Sequence, residues 1–91
     1  MGRVADRLRD VLQRGFQPER LDIVDDSARH AGHAGAGPDG ESHFSVTIVA
    51  AAFAGLSRVE RQRRVYAALA DELSGPVHAL SLKALAPGEG A

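Results

Sequence analysis

A two-layer α+β domain is what this sequence predicts, on three observations. An amphipathic helical stripe opens the chain, two stretches of period-two alternation flank a glycine-rich segment, and a second helical run leads into one more strand. The order is helix, strand, strand, helix, strand, with both helices covering one face of a three-stranded mixed sheet. Val4, Leu8, Val11 and Leu12 recur at helical spacing with Arg and Asp between them, and Gly15 followed by Pro18 is expected to stop this helix. Leu21-Asp22-Ile23-Val24 reads as a short strand ending in the polar cluster Asp25-Asp26-Ser27. Phe44, Val46 and Ile48 alternate with Ser45 and Thr47 as a second strand, and the long hairpin loop between the two makes them antiparallel.

Phe53-Ala54-Gly55 is expected to end the second strand. Ser57-Arg58-Val59-Glu60 has the spacing of a capping box, in which hydroxyl and carboxylate satisfy reciprocal backbone donors at a helix start. The longer helix that follows is expected to bury Val59, Tyr66, Leu69 and Leu73 and to terminate at Ser74-Gly75-Pro76. Val77 to Leu85 reads as the third strand, and the helical crossover into it gives one parallel relation in the sheet. The order of the strands is left open by these signals. Residues 86–91 are expected to be a frayed tail on a single domain spanning 1–91.

With 91 residues, the chain has room for one small core and no second one. A composition of 44% hydrophobic and 25% charged residues is globular, and a net charge of -1 gives no global pull toward nucleic acid or acidic lipid. No apolar run approaches the roughly 18 residues of a membrane span. Met1-Gly2-Arg3-Val4 leads into an amphipathic pattern and not a signal sequence, so a cytoplasmic protein is expected. The absence of cysteine rules out disulfides and fits a reducing compartment. There is no phosphate-loop pattern, nucleophile elbow or cysteine nucleophile, and an enzyme is not expected.

Chemistry concentrates in two residue types. Three of the four histidines, His30, His33 and His43, fall in or beside the glycine-rich segment, and His78 stands alone. Neutral imidazole is the commonest protein metal ligand, yet a chain without thiolate cannot close a cysteine-based site by itself. His78 shares strand parity with Leu80 and Leu82 but sits at the strand's start, where a helix-capping or hydrogen-bonding role competes with ligation. His30 and His33 are either incidental loop residues or ligands presented by glycines at 32, 35, 37 and 40. His43 beside Phe44 reads as a side chain bonding across the hairpin. The second feature is the run Arg58, Arg61, Arg63 and Arg64, which offers a helix face to phosphate or to an acidic protein surface.

Several segments coincide with one known family: Asp25-Asp26-Ser27, Gly40-Glu41-Ser42-His43-Phe44, Phe53-Ala54-Gly55-Leu56-Ser57, Arg61-Gln62-Arg63-Arg64-Val65-Tyr66, Leu69-Ala70-Asp71-Glu72-Leu73 and Val77-His78-Ala79-Leu80. In this order and spacing they resemble the BolA family over nearly the whole chain. One departure is Gln62, where the family usually carries the histidine of an Arg-His-Arg triplet. The resemblance implies a fold related to the type II KH domain and partnership with monothiol glutaredoxins around a shared [2Fe-2S] cluster. The free protein is then expected to be a monomer without cofactor, the partner supplying a cysteine and glutathione a second thiolate. It implies His78 as one cluster ligand and a loop histidine, His33 ahead of His30, as the other. Some members are described as transcriptional regulators, which makes weak DNA binding through Arg58, Arg61, Arg63 and Arg64 the second function implied. The loops Gly32-His33-Ala34-Gly35 and Gly37-Pro38-Asp39-Gly40 join strands, whereas a KH domain grips nucleic acid with a Gly-x-x-Gly loop between helices.

Overall fold

The computed structural model describes residues 3–25, 43–75, 77 and 79–89. The elements are α1 (Arg3–Phe16), β1 (Arg20–Asp25), β2 (His43–Val49), a short 3-10 helix at Ala51–Phe53, α2 (Arg58–Ala68), α3 (Ala70–Leu73) and β3 (Ala79–Leu85). The predicted class holds: β2 is central in a β1-β2-β3 sheet, antiparallel to β1 and parallel to β3. Ile48 lies opposite Leu21 and Ala84, and Val46 opposite Ile23 and Leu82. With Phe44 and Leu80 these residues line one face of the sheet. That face meets Val4, Leu8 and Leu12 of α1 and Val65 and Leu69 of α2 in one apolar cluster. The other face carries Asp22, Ser45, Thr47, Ser81 and Lys83, as strand alternation requires when only one side is covered.

Boundaries differ from the sequence expectation where tertiary packing outweighs local signals. The helix α1 runs past Gly15 to Phe16, because Gln17 ends it by adopting a left-handed φ of 48° while its N–H still reaches the Gln13 carbonyl at 3.1 Å. Phe16 is thereby held against Phe53, ring centroids 5.1 Å apart. β2 stops at Val49, before Phe53-Ala54-Gly55, since the 3-10 helix turns Phe53 into full burial and Gly55 supplies a φ of 80° for the following turn. The Ser57 hydroxyl accepts from the Glu60 N–H at 3.1 Å, but Glu60's carboxylate is taken by Arg63 and Arg64, so one arm of the capping box forms.

The expected single second helix is two, broken at Leu69, and its inward stripe is Val65, Leu69 and the buried Glu72. Val59 is 63% exposed and Tyr66 36% exposed. Six residues separate Val59 from Val65, which is about 240° around a helix, so the two cannot share a face. A core position and a surface position are thus exchanged relative to the sequence pattern. In urea unfolding, Leu8→Ala is expected to lower stability by about 2–5 kcal/mol through loss of burial and the cavity left behind. Val59→Ala is expected to stay within about 0.5 kcal/mol of the parent protein.

Candidate functional site

One end of the sheet gathers the chain segments that matter. Asp25, the last residue of β1, is paired with Phe44, which is paired with Leu80, and His43 faces Ala79. The chain therefore leaves β1, returns into β2 and enters β3 at the same sheet end. His30, His33 and His78 lie outside the described residues; the nearest described neighbours in sequence are Asp25 and His43 for the first two, and Val77 and Ala79 for the third. His43 is half-buried and, by alternation, belongs to the face opposite Phe44.

The approach to β3 is pinned by a single carbonyl. Glu72 C=O accepts from Gly75 N–H at 3.2 Å and from Val77 N–H at 3.0 Å, and the Val77 side chain is 2% exposed. A Cβ on Gly75 would meet the Asp71 carbonyl oxygen at 3.3 Å, so any larger residue there would push on this turn. Tyr66, Leu73, Val77, Ala79 and Leu80 line a hollow of about 210 Å³ beside the start of β3. The sequence reading placed Tyr66 in the core; its ring instead walls this hollow, with the hydroxyl a long 3.5 Å from the Leu80 carbonyl oxygen. Among the described residues no group of three or more histidine, cysteine, aspartate or glutamate side chains could hold a metal ion.

The predicted arginine face does not exist as a unit. Arg61 has a side chain only 11% exposed and donates Nε to the Leu56 carbonyl at 3.0 Å and Nη1 to the Ala84 carbonyl at 3.1 Å. Its guanidinium also meets both carboxylate oxygens of Glu89, at 2.5 and 3.0 Å. Arg64 is 3.2 Å and Arg63 3.8 Å from the Glu60 carboxylate, both on the surface. Arg58 alone of the four has no ion pair among the described residues. Arg61 therefore staples α2 to β3, its guanidinium engaged by two carbonyls and a carboxylate.

The same contacts correct the frayed tail for residues 86–89. Ala86 is 5% exposed, its N–H donates to Glu89 Oε1 at 2.9 Å, and the turn at 87–89 delivers Glu89 to Arg61. The sequence signal for this was weak, since Glu89 and Arg61 are 28 positions apart and only the fold brings them together. Arg61 beside it, with help from the Ala86 N–H, lowers the Glu89 carboxyl from 4.5 to about 2, and the pairing raises the Arg61 guanidinium. A depressed folded-state value stabilises the fold above the unfolded value and is lost as pH falls through the folded one. Glu89→Gln should therefore lower Tm at pH 7, and the gap to the parent protein should close between pH 4.5 and about 2. A gap independent of pH in thermal melts would show that this carboxylate is not the titrating partner.

With this geometry in place, similarity to known proteins decides the family. The family model for BolA-like proteins matches residues 12–89. The chain belongs to the BolA family. It is 46% identical over 87 residues to SufE-like protein 1, chloroplastic/mitochondrial, of Arabidopsis thaliana, covering 91% of this chain and 24% of that protein. It is 42% identical over 89 residues to human BolA-like protein 1, covering 98% of this chain and 62% of that protein. The DNA-binding transcriptional regulator BolA of Escherichia coli is 43% identical over 79 residues, covering 87% of this chain and 71% of the relative. The solved BolA domain of SufE1 from Arabidopsis thaliana superposes with a TM-score of 0.87 at 43% identity, covering 98% of both chains. The chain thus spans about a quarter of one relative and about three-fifths of another. BolA proteins are non-enzymatic. No helix among the described residues is long and apolar enough to cross a membrane.

Proposed function

We propose that this BolA-family protein works as the partner of a monothiol glutaredoxin, contributing His78 and one histidine of the loop, His33 or His30, to a shared [2Fe-2S] cluster. The observation that supports this reading is the convergence of the three strand ends. Residues 25 and 43, which bound the histidine-bearing segment, lie at the sheet end where 77 and 79 flank position 78. The donor set fits half a site: two imidazoles and no cysteine leave the remaining ligands to the glutaredoxin cysteine and glutathione. Such a cluster, when bound, supplies a redox-active and transferable iron centre whose histidine side is sensitive to protonation. The turn pinned at Glu72 and Gly75 fixes Val77, the residue before His78 in the sequence. We place this activity in the cytoplasm, although relatives are named as chloroplastic or mitochondrial proteins. The role is cluster trafficking or iron-status regulation.

Reconstitution with a monothiol glutaredoxin, glutathione, iron and sulfide, followed by visible absorption and circular dichroism, tests the reading. His78→Ala should fold, by far-ultraviolet dichroism, and lose the mixed-cluster spectrum, leaving that of the glutaredoxin alone. The double variant His30→Ala/His33→Ala should behave likewise, with His33→Ala the more damaging single change. An unchanged spectrum for His78→Ala would make that histidine structural.

A second reading, transcriptional regulation through DNA, draws on the name of the Escherichia coli relative. The commitment of Arg61, Arg63 and Arg64 to carboxylates weighs against a strong phosphate grip. Binding to duplex DNA is expected to be weak and indifferent to sequence. Its log–log salt slope should have a magnitude of only about 1–2, given about 0.9 per phosphate neutralised.

A further inference from the structure

β3 is an edge strand, and three side chains close its outer side. Leu85 C=O bonds Ala50 N–H at 2.9 Å, on the β2 side, so by alternation the main-chain groups of Leu80, Leu82 and Ala84 point outward. Arg61 Nη1 donates to the Ala84 carbonyl at 3.1 Å, and the Tyr66 hydroxyl lies over the Leu80 carbonyl. Just beyond, Glu89 holds the Ala86 N–H and grips the Arg61 guanidinium with both carboxylate oxygens. The helix does not seal the strand. A hollow of about 250 Å³ lies between Arg58 and Gln62 of α2 and residues 82–85, and one of about 210 Å³ lies between Tyr66 and residues 79–80.

Without those three side chains the edge would be complementary to itself. β3 reads Ala-Leu-Ser-Leu-Lys-Ala-Leu, with one charge and no proline, so its own residues do little to oppose pairing. Two copies related by a two-fold axis at Leu82 would pair antiparallel, Leu82 opposite Leu82 and Leu80 opposite Ala84, with every one of these residues already turned outward. Ser81 of one copy would then lie opposite Lys83 of the other on the uncovered face, and no like charges would meet. The side chains present block this arrangement at specific atoms. The Arg61 guanidinium occupies the Ala84 carbonyl, which would have to accept from the Leu80 N–H of the second copy. The Tyr66 hydroxyl covers the Leu80 carbonyl, which would have to accept from the second copy's Ala84 N–H. Symmetry doubles each block, and only the Leu82 pair is left.

We infer that the clasp of Arg61 and Glu89, with Tyr66 beside it, is a guard that keeps β3 from pairing with the β3 of a second copy. Opening the clasp joins two three-stranded sheets edge to edge in a two-fold dimer. The inference is independent of iron, and its test contains none.

Sedimentation velocity and amide hydrogen exchange by NMR on the full chain provide the test. The parent protein should stay monomeric, with the Leu82 amide exchanging freely. Arg61→Met removes the donors at similar side-chain length and should produce a dimer in which the Leu82 and Ala84 amides become protected. Glu89→Ala frees the guanidinium while leaving its bonds to the two carbonyls, so it should dimerise more weakly, and it carries the test if Arg61→Met does not fold. In either variant Ser81→Lys should weaken the dimer about fivefold and Ser81→Glu strengthen it by about as much, because residue 81 meets Lys83 twice in the symmetric pair. Folded variants that remain monomeric would overturn the proposal. So would a parent protein already dimeric with Leu82 protected, or association indifferent to the charge at position 81, which would mark general stickiness of a loosened fold.

Discussion

Everything in this fold depends on β2 burying one face and pairing on both edges. Phe44, Val46 and Ile48 are each at most 2% exposed, while the residues between them remain partly open to solvent. A sheet with a single covered face needs its helices on that side only, and α1 and α2 supply the required apolar stripes. Because β3 runs parallel to β2, the chain must cross over between them, and the crossover is α2 and α3. That topology brings the start of β3 to the sheet end where β1 closes and β2 opens. The candidate site is a consequence of this strand arrangement and not of any local motif.

Electrostatics then divides a run of similar residues into different tasks. Arg61 and Arg64 are three positions apart on one helix, yet one is 11% exposed and joined to four oxygen atoms, and the other is a surface ion pair. A guanidinium has enough donors in fixed directions to bind two carbonyls and a carboxylate at once, which lysine could not reproduce. Its partner Glu89 ties the last described residues to the body of the domain. Charge that a sequence presents as a patch is thus partly consumed inside the protein, and Arg58, the member of the run with no ion pair among the described residues, sits beside the end of β3.

The histidine chemistry obeys a different constraint. Iron–sulfur clusters are normally held by thiolates, so under the proposed function a chain without cysteine would contribute only part of a shared ligand set. On the proposed reading, the turn anchored on the Glu72 carbonyl fixes Val77, the described residue that precedes His78.

Periodicity determined the class, the element order and most of the core. Val4, Leu8 and Leu12 on α1 and Phe44, Val46 and Ile48 on β2 are readable because burial imposes the helical and strand periods on the residues themselves. Family membership was readable for the same reason, its motifs being spread over nearly the whole chain. Tertiary structure alone decided the rest. Val59 and Val65 are chemically equivalent in the sequence, and only the direction in which α2 leaves Ser57 puts one in water and the other in the core. Strand order, the break at Leu69, the staple between Arg61 and Glu89 and the open main chain at Leu82 depend on residues far apart along the chain. Local propensity carries no information about such contacts, because their energy exists only once the distant partners have been brought together.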